Sequence, residues 1–173
     1  MLQDPDVSGW RPDFRTADEQ LERHADRPER LFHVGRLDTD TSGLILLTND
    51  GDFAHKMAHP SYEVDKTYVA EVDGEVTKDT VAALLAGVEL DDGPVRPTEV
   101  RVVASTRPKS IVELVIHEGR NRIVRRLLDH LGHPVRRLTR TAIGPVQLHG
   151  LGTGDLRDLT LDELGVLLDN AAL

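Results

Sequence analysis

Residues 35–51 constrain the fold of this chain more than any other segment. Their second half, 44–47, is a short apolar run between a glycine and an Asn-Asp-Gly turn, which predicts a buried strand. Arg36, Asp38 and Asp40 stand directly before that strand. Because aspartate is almost never fully buried without a partner, we expect a turn at the edge of the core. Its carboxylates either face a ligand or only cap the turn through hydrogen bonds.

The rest of the chain alternates between strand and helix patterns with short connections. Thr77 is a good N-cap for a helix over 78–86, and Thr160 with Glu163 forms a capping box for a last helix over 161–170. Strands are predicted at about 31–34, 66–72, 98–104, 110–117, 135–141 and 146–148, and a turn at 91–94. Further helices are predicted at about 52–58 and 120–131, with a short one near 17–24. Strands outnumber helices, which favours an α+β fold with a largely antiparallel mixed sheet and flanking helices.

Composition bounds the class of protein. Hydrophobic residues make up 39% and charged residues 29%, which is typical of an ordinary globular protein, and 173 residues fit one domain or two small subdomains. Residues 1–30 are polar and predict a loosely ordered lead, and 31–173 predict the domain itself. Without cysteine there is no disulfide, thiolate metal site or cysteine nucleophile. No apolar run is long enough for a membrane span and no signal-peptide pattern is present, so we expect a cytoplasmic protein.

Charge is unevenly distributed along the chain. The net charge of −9 argues against a nucleic-acid partner, but residues 117–140 contain seven arginines against two acidic residues. Such a local basic stripe is the footprint expected for contact with phosphates, although it would also suit a solvated helix face. The eight histidines have no metal-ligand spacing, and His55 and His59 stand four apart without a third ligand. We therefore expect no metal site.

Three segments together resemble one enzyme family. They are Gly-Arg-Leu-Asp-Thr-Asp-Thr-Ser-Gly-Leu at 35–44 with Thr-Asn-Asp-Gly at 48–51, Asp-Lys-Thr-Tyr at 65–68, and Glu-Gly-Arg-Asn-Arg-Ile-Val-Arg-Arg-Leu at 118–127. In this order they resemble the motifs of bacterial ribosomal-RNA pseudouridine synthases of the RsuA type, most of all the large-subunit branch. The resemblance implies a pseudouridine-synthase-like catalytic domain, a ribosomal-RNA substrate, no cofactor and a monomer.

The resemblance also implies roles for the residues of the first motif, 35–44, which we call the signature turn. Asp38 matches the catalytic aspartate, which acts as nucleophile or charge stabiliser beside the sugar, and Arg36 matches an arginine near the flipped nucleotide. Asp40 would support the turn. Arg125 matches the basic partner of the catalytic carboxylate, which would favour its ionised form. Periodicity places Arg125 on the exposed face of its predicted helix.

The other two motifs imply contacts with the base and the RNA backbone. Tyr68 matches a tyrosine placed against the uracil ring, where its flat face suits stacking. Lys66 matches an accompanying basic residue, and Val124 an apolar residue under the base. Each could instead be structural: a half-buried tyrosine, a surface lysine and a core valine. Phosphate contacts are expected from Arg120, Arg122 and Arg126.

This chain departs from the family pattern in three ways. Ile123 stands where most relatives carry glutamine, which puts one polar contact near the base in doubt. The small N-terminal RNA-binding domain of the family is not found, and neither is its opening strand with a Lys-Pro pair. We expect either a start assigned too late or a trimmed and inactive relative, whose sheet would have an unpaired edge.

Two other functions compete with this interpretation. Residues 38–41 partly match the Asp-x-Asp-x-Thr loop of magnesium-dependent phosphohydrolases, but Ser42 occupies the next position. That loop should follow an apolar strand of a parallel sheet, which His33 and Arg36 interrupt. A non-catalytic RNA-binding module is the second alternative, and a carboxylate within a basic groove argues against it.

Overall fold

The structure is a computed structural model that describes residues 30–62 and 64–171. Its largest element is a six-stranded sheet made of β2 (Ser42–Gly43), β4 (Lys66–Asp73), β7 (Glu99–Ser105), β8 (Lys109–Ile116), β9 (Val135–Ile143) and β10 (Val146–Gln147). The strand order is β10-β9-β4-β8-β7, with β2 also paired to β9. All pairs in this sheet are antiparallel except β2 with β9. The sheet confirms the predicted α+β class.

Two small two-stranded antiparallel sheets and four α-helices complete the described part. One sheet pairs β1 (Phe32–Val34) with β3 (Leu46–Thr48), and the other is the hairpin of β5 (Val88–Leu90) and β6 (Gly93–Val95). The helices are α1 (Gly51–Ala58), α2 (Lys78–Ala86), α3 (Ile123–His130) and α4 (Leu161–Asn170), and a 3₁₀ turn spans Pro60–Tyr62. None of the helices within the described ranges is long and apolar enough to cross a bilayer. The helix predicted near 17–24 lies outside the described residues.

The caps explain why the helices begin where the sequence predicts. Asp50 accepts hydrogen bonds from the amides of Asp52 and Phe53 at the start of α1, and Thr77 accepts from Thr80 at the start of α2. Thr160 and Glu163 form both hydrogen bonds of the predicted capping box of α4. These local signals are sufficient because they involve residues two or three positions apart.

Two predicted elements differ from the structure. The apolar run 44–47 is not one strand: Ser42–Gly43 pairs with β9, and Leu46–Thr48 pairs with β1 in a separate sheet. The helix predicted over 120–131 begins only at Ile123, because Arg122 has left-handed backbone angles of φ 50° and ψ 31°. Both differences concern residues of the signature turn or of the segment that contacts it.

Two apolar cores lie on different parts of the fold. The larger joins the sheet to α2 and α3 and contains Ala70, Val112, Leu114, Leu127 and Leu128, among others. The smaller contains Val34, Leu44, Leu46, Phe53, Met57, Val146 and Leu167. The signature turn therefore begins and ends in the smaller core, while the third motif is anchored in the larger one.

The C-terminal helix provides a test of acid stability. Arg157 holds the Glu163 carboxylate at 2.8 Å and, with the amide of Thr160, lowers the pKa of Glu163 from 4.5 to about 2. Since the pKa is lower in the folded chain, this carboxylate stabilises the fold above pH 4.5 and stops doing so as the pH falls towards 2. Glu163→Gln keeps the cap but removes the charge. Urea unfolding at about pH 7 and about pH 3 gives the free energy of unfolding at each pH. We expect it to fall less between the two pH values in the variant than in wild type. An equal loss in both proteins would contradict this role.

Candidate active site

The signature turn is held at both ends by the β-strands that flank it. The amide of Thr41 donates to the Asp38 carbonyl at 2.9 Å, which closes a β-turn around Asp38–Thr41. Gly43 then lies against β9 with φ 112°, and a Cβ atom at this position would overlap the backbone of Arg140. The amide of Leu44 donates to the Arg140 carbonyl at 2.9 Å. Only glycine allows this close approach of the turn to the sheet.

The two carboxylates of the turn differ in their surroundings. Asp40 is held by Arg122 through two hydrogen bonds of 2.8 Å, one to each carboxylate oxygen. Asp38 lies 3.9 Å from the Arg122 guanidinium, and its side chain is 41% exposed. The Asp40 side chain is 46% exposed, so the two carboxylates differ in their pairing with Arg122 rather than in their access to solvent. Asp38, which lies beyond hydrogen-bond distance of Arg122, is the residue predicted to be catalytic.

Arg122 connects the turn to α3. Among the described residues it is the one non-glycine residue with a positive φ, which is an unfavourable conformation for a side chain with a Cβ. The hydrogen bonds with Asp40 raise the pKa of Arg122. The same bonds are the main cause that lowers the pKa of Asp40, so both groups stay ionised. A strained residue that carries an ion pair across the site is consistent with a site under functional constraint.

Arg125 lies deeper than the sequence predicted. Its side chain is only 13% exposed, and the expectation of an exposed helix face is wrong for this residue. It donates to the backbone carbonyl of Asp40 at 2.5 Å and to that of Val135 at 3.4 Å. Burial is the largest cause that lowers the pKa of Arg125. Its nearest carboxylate is Asp40, with Nε to Oδ2 at 3.5 Å, rather than the expected Asp38.

The second motif lies on β4, in the middle of the sheet. Tyr68 is half-buried against the larger core and pairs with Leu114 on one side and Arg140 on the other. Lys66 is half-buried, and its ammonium donates to the Val64 carbonyl at 3.0 Å. Their predicted contacts with a base stay predictions.

Val124 and Arg36 occupy very different environments. Val124 is 2% exposed and belongs to the larger core, as its structural interpretation expected. Arg36 is exposed on the turn, where a nucleotide could reach it. Neither position tests the role that the resemblance implies.

The three arginines predicted to contact phosphates all bind carboxylates in the structure. The two terminal nitrogens of Arg126 donate to the two carboxylate oxygens of Asp92 at 2.8 and 3.0 Å. These hydrogen bonds lower the pKa of Asp92. Arg120 contacts Asp92 at 3.1 Å and also Glu118. Arg122 is held by Asp40. Asp92, at the tip of the β5–β6 hairpin, was not predicted because its partners lie 28 and 34 residues away.

Arg140, which is only 4% exposed, was not predicted to belong to the site. It lies on β9 on the same face of the strand as the buried residues Leu138 and Ala142. A charged residue on the buried face of an alternating strand is the signal that could have identified it. In the described part of the chain, three buried side-chain atoms have no hydrogen-bond partner: Thr41 Oγ1, Arg125 Nε and Arg140 Nη2. All three belong to residues of the signature turn or in contact with it.

The arrangement suits nucleophilic or electrostatic work by a single carboxylate. Asp38 is half-exposed and lies 3.9 Å from the Arg122 guanidinium, and its charge also acts on Arg125. Within 30–62 and 64–171 no group of three histidine or acidic side chains is placed to hold a metal ion. The antiparallel sheet also lacks the parallel strand order that the phosphohydrolase alternative requires.

Comparison with known proteins agrees with this geometry. The profile of the RNA pseudouridylate synthase family matches residues 7–130. An uncharacterised RNA pseudouridine synthase of Mycobacterium tuberculosis is 50% identical over 153 residues, 88% of this chain and 60% of the relative. The ribosomal large subunit pseudouridine synthase B of Bacillus subtilis is 48% identical over 139 residues, 79% of this chain and 57% of the relative.

A solved structure supports the same assignment. The crystal structure of a pseudouridylate synthase superposes with a TM-score of 0.72 at 36% identity, over 79% of this chain and 59% of that chain. The present chain thus spans about 60% of the length of the M. tuberculosis relative. Fold, signature turn and sequence similarity agree, and this chain belongs to the RNA pseudouridylate synthase family.

Proposed function

We propose that this chain converts a specific uridine of large-subunit ribosomal RNA into pseudouridine, with Asp38 as the reacting carboxylate. The observation that carries the proposal is the half-exposed Asp38 side chain on a turn fixed between β1 and β9, 3.9 Å from the Arg122 guanidinium. The name of the B. subtilis relative, a ribosomal large subunit synthase, supports the choice of RNA.

The reaction is an isomerisation that needs no second substrate. The bond between uracil N1 and the sugar C1′ breaks, the base turns, and a bond forms between C5 and C1′. The proton lost from C5 is balanced by the one gained at N1. A carboxylate can either attack the base or sugar covalently or stabilise positive charge that develops on the sugar. Asp38 would supply this group.

The target base must leave its stack before it can reach Asp38. Extrusion of a base is favoured where an aromatic face can receive it. Tyr68, half-buried on the adjacent β4, would offer that face, and Arg36 at the exposed side of the turn would contact the nucleotide's phosphate. Lys66 would add a positive charge on the same strand, and Val124 would support the base from below.

Arg120, Arg122 and Arg126 are proposed as the RNA-backbone contacts. In the free protein their guanidinium groups bind Asp92, Glu118 and Asp40. A bidentate pair with a carboxylate has the same planar geometry as a pair with phosphate, so RNA phosphates can replace these partners. The proposal further includes a monomeric protein that acts in the cytoplasm, where ribosomal RNA is located.

Salt dependence tests this RNA face. Three phosphate contacts on a single strand predict a slope of about −2 when the logarithm of the association constant is plotted against the logarithm of salt concentration. Arg126→Gln should reduce the steepness by about 0.7. Arg101→Gln, on the distant edge strand β7 where Arg101 pairs with Glu113, is the matched control and should leave the slope unchanged. An affinity that does not depend on salt would contradict the proposed face.

The function itself is tested with RNA that carries tritium at uracil C5. Wild-type protein should release tritium from a large-subunit ribosomal RNA transcript and not from a small-subunit transcript. The B. subtilis relative serves as a positive control for the substrate. Release from the small-subunit RNA alone would overturn the choice of substrate. Absence of release from either RNA, while the control enzyme is active, would overturn the catalytic proposal.

A further inference from the structure

Arg140 occupies a position between two parts of the proposed site. Its backbone on β9 pairs with Tyr68 of β4 on one side and with Gly43 of β2 on the other. Directly opposite residues of an antiparallel pair place their side chains on the same face, so the Arg140 and Tyr68 side chains are neighbours. Arg140 therefore lies where the signature turn meets the strand of the second motif.

The guanidinium contacts the turn before and after Asp38. Nε donates to the Leu44 carbonyl at 2.9 Å, and Nη1 donates to the Arg36 carbonyl at 3.4 Å. The backbone carbonyl of Arg140 also accepts the Leu44 amide at 2.9 Å. The segment 36–44, which contains Asp38, is thus held at both ends by one residue.

The charge of Arg140 is not explained by an ion pair. Within the described residues no carboxylate lies at ion-pair distance from it, although the side chain is 4% exposed. Its Nη2 group has no hydrogen-bond acceptor in residues 30–62 and 64–171. A buried cation without a counter-charge is unfavourable for folding, so an apolar residue would suit a purely structural position better. Its planar set of donors, in contrast, can hold two carbonyls at once.

We propose that Arg140 is a positioning residue that fixes the signature turn so that Asp38 points at the sugar of the flipped nucleotide. The proposal rests on the proposed function. Arg140 acts through the carbonyls of Arg36 and Leu44 and does not contact the reacting atoms. Misplacement of a reacting group by an ångström costs rate rather than affinity, and the loss is on the order of a hundredfold.

The test compares Arg140→Met and Arg140→Lys with wild type, and Arg101→Met is the control for loss of an exposed arginine. The readouts are the single-turnover rate of C5-tritium release at saturating RNA, the Kd for RNA, and hydrogen exchange of peptides covering 36–44. We expect Arg140→Met to lose about a hundredfold in rate with Kd nearly unchanged. Arg140→Lys should recover part of the rate, because lysine keeps the charge but lacks the planar guanidinium that holds both carbonyls.

Hydrogen exchange separates this inference from the proposed function. Exchange should become faster over 36–44 and stay unchanged in the β4–β8 pair. Full activity in Arg140→Met, a loss confined to Kd, or faster exchange throughout the sheet would overturn the positioning role. Failure of both variants to fold would also overturn it, since Arg140 would then serve the whole fold. If wild type releases no tritium, the proposed function fails, and exchange over 36–44 still decides whether Arg140 holds the turn.

Discussion

Asp38→Asn should reduce release of the uracil C5 hydrogen to background. The substitution keeps the size of the side chain but removes the negative charge that the reaction needs. Binding of RNA should persist and can strengthen, because a negative charge leaves a site flanked by Arg122 and Arg125. The measurement is tritium release together with a binding isotherm for the same RNA.

Asp40→Asn is the matched control for this substitution. The carboxylate of Asp40 is bound by Arg122, and its backbone carbonyl accepts from Arg125, a contact that asparagine retains. We expect reduced but measurable release, since asparagine also forms this kind of turn. If Asp40→Asn abolishes release while Asp38→Asn retains it, the two carboxylates have the opposite roles. Full activity in both would exclude the signature turn as the reacting site.

Leu128→Ala should destabilise the domain by about 2–5 kcal/mol. Leu128 is fully buried on α3 within the larger core, so the substitution leaves a cavity. Leu161→Ala makes the same chemical change at an 87% exposed position and should change stability by less than about 0.5 kcal/mol. Denaturant unfolding of both variants checks this. Similar losses in the two would contradict the assignment of the core.

Local patterns were sufficient to predict most elements of the fold. The capping box at Thr160 and Glu163, the cap at Thr77 and the alternating pattern of β4 each depend on residues close in sequence. The break within 44–47 was not predictable in this way. It arises because Gly43 pairs with Arg140, while Leu46 pairs with Val34 in another sheet. An apolar run does not show which strand it will pair with.

Some residues of the site were predicted and others were not, again because long-range contacts have no local signal in the sequence. Resemblance placed Asp38, Tyr68 and Arg125 in one region, and the structure brings the first and third motifs into contact through Arg122 and Asp40, 82 residues apart. The pairing of Arg125 with Asp40 and the left-handed backbone of Arg122 depend on that long-range contact. They have no local signal in the sequence. Asp92, the partner of Arg120 and Arg126, was missed because it lies on a separate hairpin.

The central claim is tested most directly by counting pseudouridine in the product. A large-subunit ribosomal RNA transcript is incubated with wild-type protein or Asp38→Asn, digested to nucleosides and separated by chromatography. We predict about one pseudouridine per RNA molecule with wild type and none with Asp38→Asn, although both bind the RNA. Tight binding by wild type without any pseudouridine, as expected of an RNA-binding module, or equal amounts from the two proteins, would contradict it.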